Sequence, residues 1–237
     1  MTENSIDIVA IYGQSRGWHL KPKTVLVEGT SDVSLFELAA ELYLKETGKN
    51  ILQDMAIVAA GERDKGGTKG VVRELVTLRN IAACYLSPAG LRVYRIIGLF
   101  DSDAAGNKAV GGARDVDIAI VEYRDVFRLR PIMPKTGNLD PTALKRTSET
   151  QNLPFKTLDW ELEDLINPQF MARFLAAHST ALIRANTVSG RIHRELTRDG
   201  KSQLVRYCIQ HADLESVSAL IEVAHALRHY LNLPSLE

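Results

Sequence analysis

Cysteine, net charge and long apolar runs are all scarce in this chain of 237 residues. Two cysteines, Cys84 and Cys208, cannot build a disulfide framework or a thiolate zinc site; set among apolar neighbours, both are expected to be buried thiols in a reducing compartment. Lys and Arg total 29, as do Asp and Glu, so the formal charge is zero. That balance excludes a basic nucleic-acid coat or an acidic tail as the main activity, and any polyanion contact must come from a local patch. The longest apolar run, Ile81 to Leu86, falls far short of the ~20 residues of a membrane span. Residues Met1 to Ser5 carry no basic n-region. A cytoplasmic protein with no membrane contact is expected.

Missing motifs narrow the chemistry further. No serine stands in a Gly-x-Ser-x-Gly elbow, which leaves acyl-hydrolase chemistry unsupported. His178, His193, His211, His225 and His229 lie late in the chain without a His-Glu-x-x-His zinc pattern, so core or surface roles are expected for them. The stretch Gly61-Glu62-Arg63-Asp64-Lys65-Gly66-Gly67-Thr68 nearly matches a phosphate-binding loop, but Gly67 occupies the position of its lysine. ATP hydrolysis by this chain is therefore not expected.

What remains is a globular chain, 45% hydrophobic, long enough for one large domain or one domain with an appendage. Thr24 to Val27 is a β-branched run that ends at Glu28-Gly29 and leads into Leu35, Leu38, Ala39 and Leu42 at helical spacing. Met55 to Ala60 closes on the glycine cluster Gly61, Gly66, Gly67 and Gly70, with a helix from Val71. Arg92 to Phe100 stops at Asp101-Ser102-Asp103. Three strand–turn–helix units predict an α/β fold with a parallel sheet flanked by helices. Between 114 and 158 the texture is loop-rich, with Ile118 and Ile120, then Phe127 and Leu129, as short strands of an edge hairpin. From Asn167-Pro168, a cap followed by proline at the first helical position, the chain to Leu233 is expected to be helical. Residues 1–166 thus read as the catalytic domain and residues 167–237 as a small C-terminal helical subdomain.

Acidic residues gather where chemistry is expected. Ligands of doubly wound sheets bind beyond the carboxyl ends of the strands; Glu28 ends one apolar strand, and Asp101 and Asp103 follow another. Asp32 falls in the first turn after Glu28, and Asp159-Trp160-Glu161-Leu162-Glu163-Asp164 adds a further acidic cluster. Two carboxylates ~4 Å apart repel by roughly 4 kcal/mol at an effective dielectric near 20. Such a group opposes folding unless a cation joins it, and hard oxygen ligands select Mg²⁺ or Mn²⁺. Taken singly, the pair Glu28 and Asp32 fits dipole complementation, Asp103 fits a helix cap, and Glu161 to Asp164 fits a solvated edge. Their joint occurrence in this order is the stronger signal.

The segments Val25-Leu26-Val27-Glu28-Gly29 with Asp32, and Ile96-Ile97-Gly98-Leu99-Phe100-Asp101-Ser102-Asp103-Ala104-Ala105-Gly106, resemble the Toprim domain of topoisomerases, primases and nucleases of the overcoming-lysogenization-defect kind. The resemblance covers residues 20 to 166. The segment Glu161 to Ile166 looks like the acidic-apolar piece that completes the metal site in the nuclease branch, including Toprim effectors of bacterial anti-phage systems. Carried over, it implies two ions, Mg²⁺ or Mn²⁺: Glu28 and Asp32 would hold one, Asp101, Asp103 and Glu163 the other, with Glu161 an alternative ligand. Lys201 resembles the lysine that supports the metal centre in those nucleases. Ala105 stands where topoisomerases carry a third aspartate, and neither their strand-passage domain nor a primase's polymerising parts are expected within 237 residues. The resemblance therefore implies a two-metal endonuclease acting on DNA or RNA and a separately encoded ATPase partner; a homo-oligomer stays open, since the sequence is silent on oligomeric state.

Arg184, Arg191, Arg194, Arg198, Lys201 and Arg206 face only Glu195 and Asp199 in their stretch, a patch suited to steering phosphates. The competing account is a solvated helical face. Trp160 and Phe155 are expected in the core rather than stacked on bases. Two other functions stay open: a sugar-nucleotide transferase using Asp101-x-Asp103 with a metal diphosphate, and a non-catalytic docking module with a regulatory cation site.

Overall fold

The computed structural model describes residues 7–61 and 67–236. After helix α1 (Ile8–Ser15), the chain alternates β1 (Lys23–Val27), α2 (Thr30–Thr47), β2 (Ala56–Ala59), α3 (Gly67–Ala82), β3 (Arg95–Phe100), α4 (Ala104–Val116) and β4 (Val126–Arg128). The four strands form one parallel sheet in the order β2-β1-β3-β4. Side chains alternate across it. Val25, Val27, Ile57, Ile97, Leu99 and Phe127 enter one core with α2, while Leu26, Val58, Ile96, Phe100 and Val126 enter a second with α3 and α4. Burial on both faces explains why the strands read as unbroken apolar runs. From β1 the chain moves to one neighbour through α2 and then crosses to the other through α3, so the direction of winding switches between β1 and β3.

The expected α/β fold with a parallel sheet is present, with differences in detail. Residues 62–66 of the glycine-rich turn lie outside the described residues. Helix α3 begins at Gly67, before Val71, and β3 begins at Arg95, after Arg92. No edge hairpin forms at residues 118–129: Ile118 is exposed in a turn and β4 joins β3 in parallel. Inside the loop-rich stretch, Asp140 caps a helix, α5 (Pro141–Gln151), by accepting from the amides of Thr142 and Ala143 at 3.0 and 3.1 Å.

The C-terminal stretch departs more from expectation. After α6 (Pro168–Ala177) comes an antiparallel hairpin, β5 (Leu182–Val188) and β6 (Arg191–Leu196), before α7 (Arg198–His211) and α8 (Ser218–Tyr230). Ser189 and Gly190 both have positive φ, 49° and 80°, the conformation of a two-residue hairpin turn whose twist matches that of the strands. Helices α6, α7 and α8 share the core of the sheet's first face: Phe170, Phe174, Leu204 and Leu220 are buried with Val25 and Phe36. The Tyr230 ring stacks on Phe127 of β4 with centroids 4.5 Å apart. Each such side chain contributes about 2 kcal/mol by leaving water. Cys208 is buried, its thiol pushed up to about 12 by burial. Cys84 is exposed instead, in the turn after α3. Trp160 is buried and Phe155 partly so, both in the core as expected. Among the described residues no helix is long and apolar enough to cross a membrane.

Candidate metal centre

The winding switch between β1 and β3 opens a crevice at the carboxyl ends of the strands, and the acids stand there. Glu28 follows β1, and Asp101 and Asp103 follow β3. The two strand ends meet directly: the Asp101 amide donates to Glu28 Oε1 at 3.4 Å. Asp32 enters from the first turn of α2, where its Oδ2 accepts from the Gly29 amide at 2.9 Å. Asp103 caps α4, its Oδ1 accepting from the Gly106 amide at 2.7 Å. Both residues thus carry the helix-start roles weighed against metal binding, while remaining in the electrostatic reach of Glu28. Gly106 has no substitute here: a Cβ would sit 2.0 Å from the Asp101 carbonyl oxygen, so only glycine lets α4 begin this tightly against the acidic loop.

The last pieces arrive from the 3-10 turn Leu162–Leu165 and from α7. Glu163 is buried and Glu161 partly so. Lys201 Nζ reaches between them, 2.9 Å from Glu161 Oε2 and 3.2 Å from Glu163 Oε1. Gly200 brings α7 close enough, since a Cβ there would meet the Ala181 carbonyl oxygen at 2.7 Å. The turn is pinned by a residue absent from the expected site. Asp164 Oδ2 accepts from the Glu161 amide at 2.9 Å and bonds His193 Nδ1 at 2.7 Å, and Oδ1 accepts from the Arg194 amide at 2.9 Å. One buried carboxylate thus ties the hairpin to the segment that aims Glu161 and Glu163. Its signal was present as the last acid of the cluster; its partner, 29 residues away, was not visible in sequence.

Crowding shows in the protonation equilibria. Burial, with the charges of Asp32 and Asp103, pushes Glu28 up to about 7 against the opposing pull of the Asp101 amide and Lys201. Burial and Glu163 raise Asp32 to about 6. Burial, then Asp32, Glu163 and Glu28, hold Asp101 well above the usual carboxylate range. For Lys201, burial works against the charge, but Glu163 and Glu161 outweigh it and hold the ammonium above its ordinary value. His193 is also raised, chiefly by its bond to Asp164 and in spite of burial.

Of the six acids expected at the site, Glu28, Asp32, Asp101, Glu161 and Glu163 share one electrostatic neighbourhood with Lys201, and Asp103 joins it through Glu28. Among the described residues, however, no three His, Cys, Asp or Glu side chains stand close enough together to hold a metal ion as they are. Lys201 pairs with two of the carboxylates, and the amides of Gly29 and Gly106 donate to two more. The donor set itself is all hard oxygen and fits Mg²⁺ or Mn²⁺.

The basic residues are divided. Arg184, Arg191 and Arg194 lie on the hairpin, and Arg198, Lys201 and Arg206 on α7, so they do not form one helical face. Arg184 pairs with Glu195 and Lys201 turns into the acids. Closer to the acids, Arg128, Arg130 and Lys156 line a cavity of about 590 Å³ with Glu149, Asp159 and Ser102, the residue between the two aspartates, and Arg128 is paired with Glu122. Ser102 is buried and its Oγ has no partner. No family model, curated protein or solved structure matches the chain.

Proposed function

We propose that the chain is a divalent-metal-dependent Toprim-type endonuclease that hydrolyses phosphodiester bonds in DNA or RNA, an effector in anti-phage defence. The observation that carries this reading is the convergence of Glu28 with Asp101 and Asp103 at the winding switch of a parallel sheet, in the order and spacing of the Toprim pattern. Lys201 beside Glu161 and Glu163 supports the nuclease branch. Bound among these carboxylates, Mg²⁺ or Mn²⁺ would supply the Lewis acidity that activates a water and stabilises a leaving oxygen.

The chain's own groups supply the rest. The Asp101 amide orients Glu28 by donating to its Oε1, which leaves Oε2 as the oxygen that would meet the ion. Lys201 Nζ is a fixed positive charge for a non-bridging phosphate oxygen. Arg130 and Lys156, in the cavity beyond Ser102, would hold flanking phosphates of the strand.

The test is incubation of supercoiled plasmid and a mixed RNA pool with the protein and Mn²⁺. Cleavage of either substrate, lost in Asp101→Ala, is expected; no cleavage, or cleavage unchanged in that variant, overturns the reading. The resemblance further implies a separate ATPase, which a pull-down from the native host would recover. The ion pairs of Lys201 favour one second reading, a regulatory cation site without turnover. It predicts Mn²⁺ binding with no cut polynucleotide.

A further inference from the structure

We propose that the opposite end of the sheet carries a second, independent site, which binds a nucleoside di- or triphosphate. A cavity of about 730 Å³ opens at the amino ends of the strands. Lys23 at the start of β1, Arg95 at the start of β3, Arg79 in the last turn of α3, Arg92, and Arg124 ahead of β4 all line it. These five cations face one carboxylate, Asp125, an excess of four positive charges in a chain whose total charge is zero.

Internal pairing does not use up this charge. Asp125 is already shared, since Arg79 pairs with Oδ1 and Arg124 reaches Oδ2 at 2.7 Å. Arg79 Nε is buried without a partner. Arg95 donates to the carbonyls of Tyr230 at 3.0 Å and Arg124 at 3.5 Å, which orients its guanidinium without neutralising it. The Lys23 and Arg92 side chains have no hydrogen-bond or ion-pair partner among the described residues. Burial, and then the charge of Arg95, lowers Lys23; burial, against Asp125, lowers Arg95, with Arg124 and Arg79 adding to the fall.

Like charges gathered partly out of water oppose folding, and a bound anion relieves them, the same physics that operates at the acidic rim with the sign reversed. Guanidinium forks match phosphate oxygens in pairs. An excess of four charges suits a phosphate chain better than a single phosphate. The cavity volume falls in the ~300–1,000 Å³ range of small-ligand sites. Ala82, Leu91, Tyr94 and Ile96 add an apolar wall for a nucleoside. A nucleic-acid strand requires a continuous cationic track, whereas these cations converge on one cavity. With the catalytic acids at the other rim, the site binds without turnover.

The test is calorimetric titration of ATP, ADP and inorganic tripolyphosphate into the full chain in EDTA, which removes any metal-dependent binding at the acids. ATP and ADP are expected to bind more tightly than tripolyphosphate. Arg92→Gln and Lys23→Gln, whose circular dichroism should match the parent, are each expected to weaken binding about tenfold, while Asp101→Asn binds like the parent. No binding of ATP or ADP, or affinities unchanged in both cavity variants, overturns the proposal. Tripolyphosphate binding as tightly as ATP overturns the nucleoside assignment, and displacement of ATP by a short single strand points to a polynucleotide instead. None of these outcomes depends on whether the chain cuts nucleic acid.

Discussion

The backbone amide of Asp101 donates to Oε1 of Glu28 across 3.4 Å, joining the end of β3 to the end of β1. Two acids 73 residues apart thus share one rim because the strands that carry them are parallel neighbours. Sheet topology sets this meeting, and the electrostatic consequences follow from it.

The first consequence is a pH dependence of stability. Glu28 titrates near 4.5 when unfolded and about 7 when folded. Between these values the folded state binds a proton that the unfolded state has lost, so stability falls as pH rises, by about 3 kcal/mol for this group. Asp32, raised to about 6, acts in the same direction. The contribution of the raised His193 is present below its unfolded value and lost as pH climbs through the folded one. His229, lowered by burial, opposes the trend near pH ~6.5 and below. Calorimetry in EDTA should show Tm falling from pH ~5 to ~8, with Mn²⁺ restoring more of it at the higher pH.

Lys201 provides a second test. In Lys201→Met, Glu161 and Glu163 lose their shared cation, and Glu163 is only 3% exposed. Breaking a buried pair costs roughly 3–5 kcal/mol; because the Lys201 side chain is 31% exposed, about 2 kcal/mol is expected. Chemical denaturation in EDTA measures the loss. Added Mg²⁺ should recover more stability in the variant than in the parent, since it replaces the missing charge.

Two glycines of α4 should respond with opposite signs. Gly106→Ala drives a Cβ against the Asp101 carbonyl, costing about 3 kcal/mol and displacing the acidic loop, with loss of cleavage. Gly111→Ala meets nothing within 4 Å and lies within the same helix, so it should stabilise by about 0.5–1 kcal/mol. Thermal melts and a plasmid assay of both variants check this.

Asp164 should matter more for stability than its absence from any metal assignment suggests. Asp164→Ala strands the buried His193 ring and frees the amides of Glu161 and Arg194, at a cost of about 3 kcal/mol. Hydrogen exchange should show the hairpin amides of β6 losing protection ahead of the parallel sheet.

Much of this site was legible in the sequence because its signals are local. Apolar runs ending in acid place Glu28, Asp101 and Asp103 at strand ends whatever surrounds them. Helix α5 was missed although Asp140-Pro141 carries the same cap-and-proline signal that marked Asn167-Pro168; the surrounding prolines masked it. The hairpin was missed because basic residues at 184, 191 and 194 obscured the β-branched residues on either side of Ser189-Gly190. The Asp164–His193 contact and the cationic cavity at the far rim depend on distant segments meeting. No local pattern announces them, and a net charge of zero conceals an acidic rim at one end of the sheet and a basic one at the other.

The most direct test is a Mn²⁺ titration of the purified chain followed by electron paramagnetic resonance, comparing the parent with Asp101→Asn and Glu28→Gln. Two bound ions in the parent, with binding weakened at least tenfold in each variant, is the predicted result. A parent that leaves Mn²⁺ free, or variants that bind it as well as the parent does, would contradict the account.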